Sequence, residues 1–139
     1  MIESNILVVD DEFEITDTIS SYLRSCFKVK VFCALSGEEA LDVIKKNHIS
    51  LMVSDFNMPK GNGLWLVNEI HRNKLSLLII IFSSELNLEI PSLTKINSQN
   101  VVIAKPDLVS LVEKVREMGI VSELHANPSI PEIGTNDLL

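Results

Sequence analysis

Short apolar runs with strand character alternate along the chain with segments in which apolar residues recur at helical spacing. The spacing of three or four residues is clearest from Phe13 to Cys26, where it predicts an amphipathic helix. Residues 77–81 form an unbroken apolar run, which is typical of a central strand covered on both faces. Strands are predicted at residues 6–9, 29–34, 51–53, 75–82 and 101–104. This fivefold alternation predicts an α/β fold with a doubly wound, five-stranded parallel sheet and helices on both faces.

Capping residues mark the ends of further predicted helices. Ser36 opens one of them, and Glu39 three residues later completes a capping box. Asp107 caps the last helix, which Gly119 ends. Another helix begins at Asn62-Gly63, and the residues predicted to share its core face are Leu64, Val67 and Ile70.

Two regions do not follow this alternation. A helix is expected between residues 84 and 100, but it contains Pro91, and proline costs about 3 kcal/mol in a helix interior. A short helix with Pro91 at its first position is therefore predicted. Residues 120–139 show no clear period. They are predicted to form a flexible C-terminal tail after a domain that spans residues 1–119.

Polar side chains follow four of the predicted strands at the point where each strand ends. Asp10 and Asp11 follow the first strand, and Asp55 follows the third. Ser83 and Lys105 come at the ends of the fourth and fifth strands. Because the carboxyl ends of the strands in an open parallel sheet converge on one crevice, these five side chains are expected to meet.

Three carboxylates, one hydroxyl and one ammonium together favour a site for Mg²⁺ and a phosphoryl group. Like charges at short range raise a carboxylate pKa unless a cation offsets them. Mg²⁺ takes oxygen ligands, and a few carboxylates with a substrate phosphate suffice to hold it. Taken singly, these residues are ordinary caps and turns, and the Asp10-Asp11 pair also suits a helix N-terminus. Their combination, in one order at four strand ends, is what indicates this chemistry.

The net charge of the chain limits its partners. A charge of −7 argues against direct nucleic-acid binding, which needs clustered lysine and arginine, and against docking on an anionic membrane. No segment approaches the length of a membrane span, and the acidic start does not resemble a secretory signal. Two cysteines, Cys26 and Cys33, are too few for a disulfide scaffold. A cytoplasmic protein of about one domain, without membrane insertion, is expected.

Four motifs of this chain resemble those of response-regulator receiver domains of two-component signalling. The resemblance covers about Asn5 to Met118. It implies a flavodoxin-like or CheY-like fold with the strand order 2-1-3-4-5. The motifs are Leu7-Val8-Val9-Asp10-Asp11-Glu12, Val53-Ser54-Asp55-Phe56-Asn57-Met58-Pro59, Phe82-Ser83-Ser84 and Ala104-Lys105-Pro106.

The resemblance also implies a role for each residue of the predicted site. Asp55 would be the phosphoacceptor. Mg²⁺ would be held by Asp10, Asp11, Asp55 and the backbone carbonyl of Asn57.

Two further residues would complete the implied site. Ser83 would supply the switch hydroxyl, and Lys105 would contact the phosphoryl group. The peptide bond between Lys105 and Pro106 would be cis. The chain departs from the family pattern at Val102, where a tyrosine or phenylalanine is usual, and at Gly61, where a hydrophobic residue is usual.

The implied function is that of a phosphorylation-activated receiver in a phosphorelay. Its partners would be a sensor histidine kinase or phosphotransfer protein and a downstream protein target, with a homodimer left open. It would not be an enzyme beyond catalysing its own phosphorylation and dephosphorylation. Two alternatives are a Mg²⁺-dependent phosphatase with an aspartate nucleophile, and a receiver-fold scaffold that acts independently of phosphorylation.

Overall fold

Strands and helices alternate in the structure, a computed structural model that describes residues 4–84 and 101–124. The strands within these residues are β1 (Ser4–Val9), β2 (Phe27–Ala34), β3 (Leu51–Ser54), β4 (Leu78–Ser83), β5 (Val101–Ala104) and β6 (Ser122–Glu123). The helices are α1 (Phe13–Cys26), α2 (Gly37–Lys46), α3 (Gly63–Arg72) and α4 (Leu108–Met118). The helix predicted between residues 84 and 100, including Pro91, lies outside the described residues.

The strands form one sheet in the order β5-β4-β3-β1-β2-β6. The first five strands are parallel, so the predicted order 2-1-3-4-5 is confirmed. Val9, the last residue of β1, pairs with Ala34 of β2 and Ser54 of β3. Because all three strands end at the same level, the residues that follow them emerge along one edge of the sheet.

Alternate residues of the strands face two separate cores. Ile79 and Ile81 of β4 pack with α2 and α3, whereas Ile80 between them packs with α1 and α4. All three are completely buried. Successive side chains of a strand point to opposite faces, so an unbroken apolar run is the pattern required of a strand covered on both sides.

Four of the predicted helix ends are confirmed. Glu39 N donates to Ser36 Oγ (3.1 Å), and Ser110 N donates to Asp107 Oδ1 (2.9 Å). Gly119 ends α4 with a φ of 70°, a conformation that favours glycine. Asn62 caps α3 by accepting from the amide of the third helical residue.

The predicted core face of α3 is wrong at Leu64, whose exposed fraction is 37%. The buried apolar residues of this helix are Leu66, Val67 and Ile70. At about 100° per residue these three positions share one face, and Leu64 lies outside that sector.

A sixth, antiparallel strand was not predicted. Ser122 and Glu123 of β6 pair with β2, so the prediction of a flexible tail over residues 120–139 is wrong for these two residues. Glu123 accepts two hydrogen bonds from the Arg116 guanidinium, at 2.7 and 3.3 Å, and that guanidinium lies over the ring of Phe27. Two residues are too few to show a periodic pattern, so only contacts with α4 and β2 define this strand. Residues 125–139 lie outside the described residues.

Within the described segments, no helix has both the length and the apolar character needed to cross a membrane.

Alanine substitution on either face of β4 is expected to destabilise the fold strongly. Ile80→Ala and Ile81→Ala should each lower the free energy of unfolding by about 2–5 kcal/mol, because each leaves a cavity in a different core. Urea unfolding measures this change, and Thr18→Ala on the exposed face of α1 should stay within about 0.5 kcal/mol of wild type. If one isoleucine variant matched the Thr18 control, the core on that side of the sheet would be contradicted.

Candidate functional site

Three carboxylates meet at the edge of the sheet where β1 and β3 end. Single oxygen atoms of Asp10, Asp11 and Asp55 lie within 4.8 Å of one another. The parallel register of β1 and β3 brings Asp10 and Asp55 together, because Asp10 follows the last residue of β1 and Asp55 follows the last residue of the neighbouring β3. The amide of Asp55 donates to Val9 O (2.8 Å), which continues the ladder by one residue. The structure therefore brings together the carboxylates that the sequence predicted to meet.

The three carboxylates differ in their access to solvent. The Asp10 side chain is 1% exposed, the Asp55 side chain is 12% exposed, and Asp11 is exposed. Asp10 Oδ1 accepts from the amide of Glu12 (3.0 Å), which fixes the orientation of this buried carboxylate. The site thus has a buried acid, a partly accessible acid and an exposed acid side by side.

The ammonium of Lys105 lies between two of these acids. Its Nζ is 2.5 Å from Asp10 Oδ2 and 3.3 Å from Asp55 Oδ1. The sequence predicted that Lys105 would meet these acids, but not that its shorter contact would be with Asp10. The Lys105-Pro106 peptide bond is cis, as predicted, and the amide of Lys105 donates to Ser83 O (2.9 Å).

Burial and the neighbouring charges shift the pKa values of Asp55 and Lys105. Burial raises the pKa of Asp55 above its usual 3.8; the positive charge of Lys105 opposes this rise, and the negative charge of Asp10 adds to it. Burial lowers the pKa of the Lys105 ammonium, but its hydrogen bond to Asp10 and the charges of both acids outweigh burial and raise it. Lys105 is therefore protonated at neutral pH, yet its single charge does not offset the cost of burying the Asp55 carboxylate.

The remaining predicted residues lie on the elements beside this cluster. Ser83 is the last residue of β4, where it is buried and pairs with Ala104, the residue before Lys105. Asn57 is exposed in the β3–α3 loop, which comprises residues 55–62. Ser83 therefore lies beside the residue that precedes Lys105, and Asn57 follows Asp55 by two residues.

The donor set fits a divalent cation that prefers oxygen. The cluster offers three carboxylates within a span that one ion can bridge, and the ammonium of Lys105 forms ion pairs with only two of them. Among the described residues this is the one group of three or more acidic, histidine or cysteine side chains close enough to share an ion. Mg²⁺, which the sequence predicted, matches this chemistry.

Sequence reasoning missed a contact between α2 and the β3–α3 loop. Gly37, the first residue of α2, donates its amide to Gly61 O (2.9 Å). The signal that could have found it is a glycine directly after the capping residue Ser36, where a side chain would ordinarily be tolerated.

A model of the response regulator receiver domain family matches residues 6–116 of the chain. The chain belongs to this family. It is a receiver domain of response regulators, the proteins that are activated by phosphorylation in two-component signalling.

The sequence relatives of this receiver domain are longer proteins. Response regulator SaeR of Staphylococcus aureus strain USA300 is 35% identical over 82 residues, a match that covers 59% of this chain and 35% of SaeR. SaeR of strain N315 gives the same figures. The match therefore spans about a third of the length of these curated relatives.

Solved structures share the fold of this receiver domain. Response regulator TrrA of Thermotoga maritima, in complex with Mg²⁺-BeF, aligns with a TM-score of 0.72 at 27% identity, over 83% of this chain and 98% of TrrA. Chemotaxis protein CheY4 of Vibrio cholerae aligns with a TM-score of 0.72 at 24% identity, over 84% of this chain and 98% of CheY4. The flavodoxin-like, CheY-like fold class is confirmed.

Replacing Asp55 by asparagine is expected to stabilise the metal-free receiver domain at neutral pH. Because folding raises the Asp55 pKa, the folded state binds this proton more tightly than the unfolded chain. The contribution to stability is fully present below the unfolded value near 3.8 and is lost as pH rises through the folded pKa. Asp55→Asn removes that loss, and urea unfolding in metal-free buffer from acidic to neutral pH measures the difference.

The matched control is Asp17→Asn on the exposed surface of α1, which should follow the wild-type pH profile. A lower free energy of unfolding for Asp55→Asn at neutral pH would show that attraction to Lys105 outweighs burial, contrary to this expectation.

Proposed function

We propose that Asp55 of this receiver domain accepts a phosphoryl group from a sensor histidine kinase or phosphotransfer protein, and that phosphorylation shifts the conformation of a protein-binding surface. The observation that carries the proposal is the cluster of Asp10, Asp11 and Asp55 with Lys105 between two of them. It combines a nucleophile, a fixed positive charge and a set of metal ligands at one edge of the sheet.

Asp55 is the carboxylate best suited to act as the nucleophile. Asp10 is buried, and its two oxygens are engaged by Lys105 and by the amide of Glu12. Asp55 retains a side-chain exposure of 12%, which leaves it accessible to a donor phosphate. Asp11 is exposed, and none of the ion pairs of the described residues involves it, whereas Lys105 lies 3.3 Å from Asp55.

The proposed transfer exchanges one bond for another. A carboxylate oxygen of Asp55 attacks the phosphorus atom in line, while the bond between phosphorus and the donor histidine nitrogen breaks. The nitrogen keeps the electron pair of the broken bond, and Asp55 becomes an acyl phosphate. No proton has to leave Asp55, since its carboxylate is the attacking form.

Lys105 and Ser83 would respond to the new phosphoryl group. Lys105 is protonated and lies 3.3 Å from Asp55, so its charge can face the phosphoryl oxygens without a large movement. The Ser83 hydroxyl can donate to one of those oxygens. These charge-assisted bonds, absent before phosphorylation, would bias the domain between two conformations.

Asp10, Asp11, Asp55 and the carbonyl of Asn57 would hold Mg²⁺ in this proposal. When bound, the ion supplies positive charge that offsets the phosphoryl oxygens and the three carboxylates. Asp10 would be the rigid ligand, because its orientation is fixed by Glu12 and Lys105.

The biological setting belongs to the same proposal. The domain would act by binding a downstream protein and would not turn over an external substrate. Its cytoplasmic location and its lack of direct nucleic-acid binding stay predictions from the sequence.

Val102 is partly buried on β5 where the family usually has an aromatic residue, so the output surface would not depend on an aromatic side chain at that position.

Phosphorylation from acetyl phosphate is expected to require Asp55 and Mg²⁺. The intact wild-type protein should gain the mass of one phosphoryl group in Mg²⁺ buffer, and no gain is expected in EDTA or with Asp55→Asn. Mass spectrometry of the intact protein measures the change.

Asp17→Asn is the matched control and should be phosphorylated like wild type. Phosphorylation of Asp55→Asn to the wild-type extent would refute Asp55 as the acceptor. Sustained release of phosphate from a small phosphate ester, in many turnovers per protein, would support the phosphatase alternative. A partner that binds wild type and Asp55→Asn equally under phosphorylating conditions would support the scaffold alternative.

A further inference from the structure

The β3–α3 loop, which begins with Asp55, bonds to the first turn of α2. The amide of Gly37 donates to Gly61 O (2.9 Å), and the amide of Glu38 donates to Lys60 O (3.2 Å). These amides belong to the first turn of the helix, where donors lack acceptors within the helix itself. Two loop carbonyls therefore take the place of water at the positive end of the α2 dipole.

Glycine is required on both sides of this contact. A Cβ atom at Gly37 would lie 2.1 Å from the oxygen of Gly61. Gly61 has a φ of +95°, and a Cβ atom there would lie 2.7 Å from the ring of Trp65. Lys60 before it also has a positive φ of 55°. This backbone turn aims two successive carbonyls at α2, and only glycine at position 37 leaves room for them.

The same loop extends from the α2 contact to the carboxylate cluster. At its start, the amide of Asp55 is tied to Val9 of β1. At its end, the amide of Gly63 donates to Phe56 O (2.7 Å) and closes the loop. Asn57 lies between Asp55, which is bonded to β1, and Lys60, which is bonded to α2. The contact with α2 therefore restrains the part of the loop that follows Asn57.

A second connection links α2 to the cluster from the other side. The carbonyl of Ala34, at the end of β2, accepts from the amide of Asp10 (3.2 Å). Ser36, two residues later, caps α2 by accepting from Glu39 N. The start of α2 is therefore fixed relative to Asp10 by β2 and relative to Asp55 by the β3–α3 loop.

We propose that Gly37 is a positioning residue for the metal site. By letting α2 bond to the β3–α3 loop, it holds the loop where the Asn57 carbonyl can join Asp10, Asp11 and Asp55 around Mg²⁺. This inference rests on the proposed function. Mg²⁺ demands near-ideal octahedral geometry, so displacement of one loop ligand weakens its binding.

A role confined to helix α2 predicts the opposite effect of substitution. Alanine has a higher helix propensity than glycine, so Gly37→Ala would be neutral or stabilising if Gly37 served the helix alone. In the structure, the alanine Cβ instead displaces Gly61 and the loop behind it. Mg²⁺ affinity separates these two roles.

Calorimetric titration with Mg²⁺ alone tests the proposal. Gly37→Ala is expected to raise the Mg²⁺ dissociation constant by about tenfold or more, within the range of ordinary coupling between sites. Glu38→Pro removes the amide that donates to Lys60 O, in a helix turn that tolerates proline, and should have a similar effect. Glu38→Ala keeps that amide and should bind like wild type, which makes it the matched control.

Hydrogen exchange adds a measurement that does not depend on phosphorylation. By linkage, a contact that favours Mg²⁺ binding is itself favoured by Mg²⁺. The amides of Gly37 and Glu38 should therefore exchange more slowly with Mg²⁺ than without it. The amide of Ser110, which is held by the Asp107 cap of α4, is the comparison and should change less.

Several outcomes would overturn the inference. One is wild-type Mg²⁺ affinity in Gly37→Ala or, if that variant does not fold, in Glu38→Pro. Equal slowing of exchange at Gly37, Glu38 and Ser110 would also contradict it. If wild type binds Mg²⁺ and is phosphorylated on Asp55 in these cases, the proposed function stands and only the positioning role fails. A wild-type protein that binds no Mg²⁺ would overturn both.

Discussion

The site depends on one electrostatic problem, the close approach of three carboxylates around a single ammonium. Parallel pairing of β1 with β3 puts Asp10 and Asp55 at adjacent strand ends, where their repulsion is unavoidable. Lys105 bridges the two at 2.5 and 3.3 Å, yet burial still raises the pKa of Asp55. Three carboxylates thus share a single ammonium, and a divalent ion would supply positive charge that one lysine cannot. Both the metal chemistry and the phosphoryl chemistry proposed for this receiver domain follow from that imbalance.

Backbone contacts, rather than side chains, hold the β3–α3 loop beside these charges. The carbonyls of Lys60 and Gly61 satisfy amides of α2, while the loop closes on itself through Gly63 and Phe56. A loop held in this way can keep a backbone carbonyl near the carboxylates without a bulky residue in the site. Glycine at position 61, which departs from the family pattern, is explained by its left-handed backbone and by the Trp65 ring packed against it.

The elements away from the site show which structural features can be predicted from local sequence patterns. The boundaries of α1, the caps at Ser36 and Asp107 and the glycine that ends α4 follow from short-range chemistry and agree with the structure. The prediction that Leu64 is buried does not agree with the structure, because the buried face of a helix depends on which neighbouring elements cover it as well as on residue spacing. The sequence did not predict β6 either, because this strand is defined by the ion pair between Glu123 and Arg116 and by only two residues that pair with β2.

The sequence by itself determined the two-sided sheet, the order of its elements and the identity of the acidic, hydroxyl and lysine positions. These follow from periodicity and from the rule that parallel strands share a carboxyl edge, so the meeting of Asp10, Asp11, Asp55 and Lys105 was predictable. Only the tertiary structure decided that Lys105 lies closer to Asp10 than to Asp55, and that Gly37 touches the β3–α3 loop. Both depend on ångström-scale distances between residues far apart in the chain, and no local pattern of residue types encodes such distances.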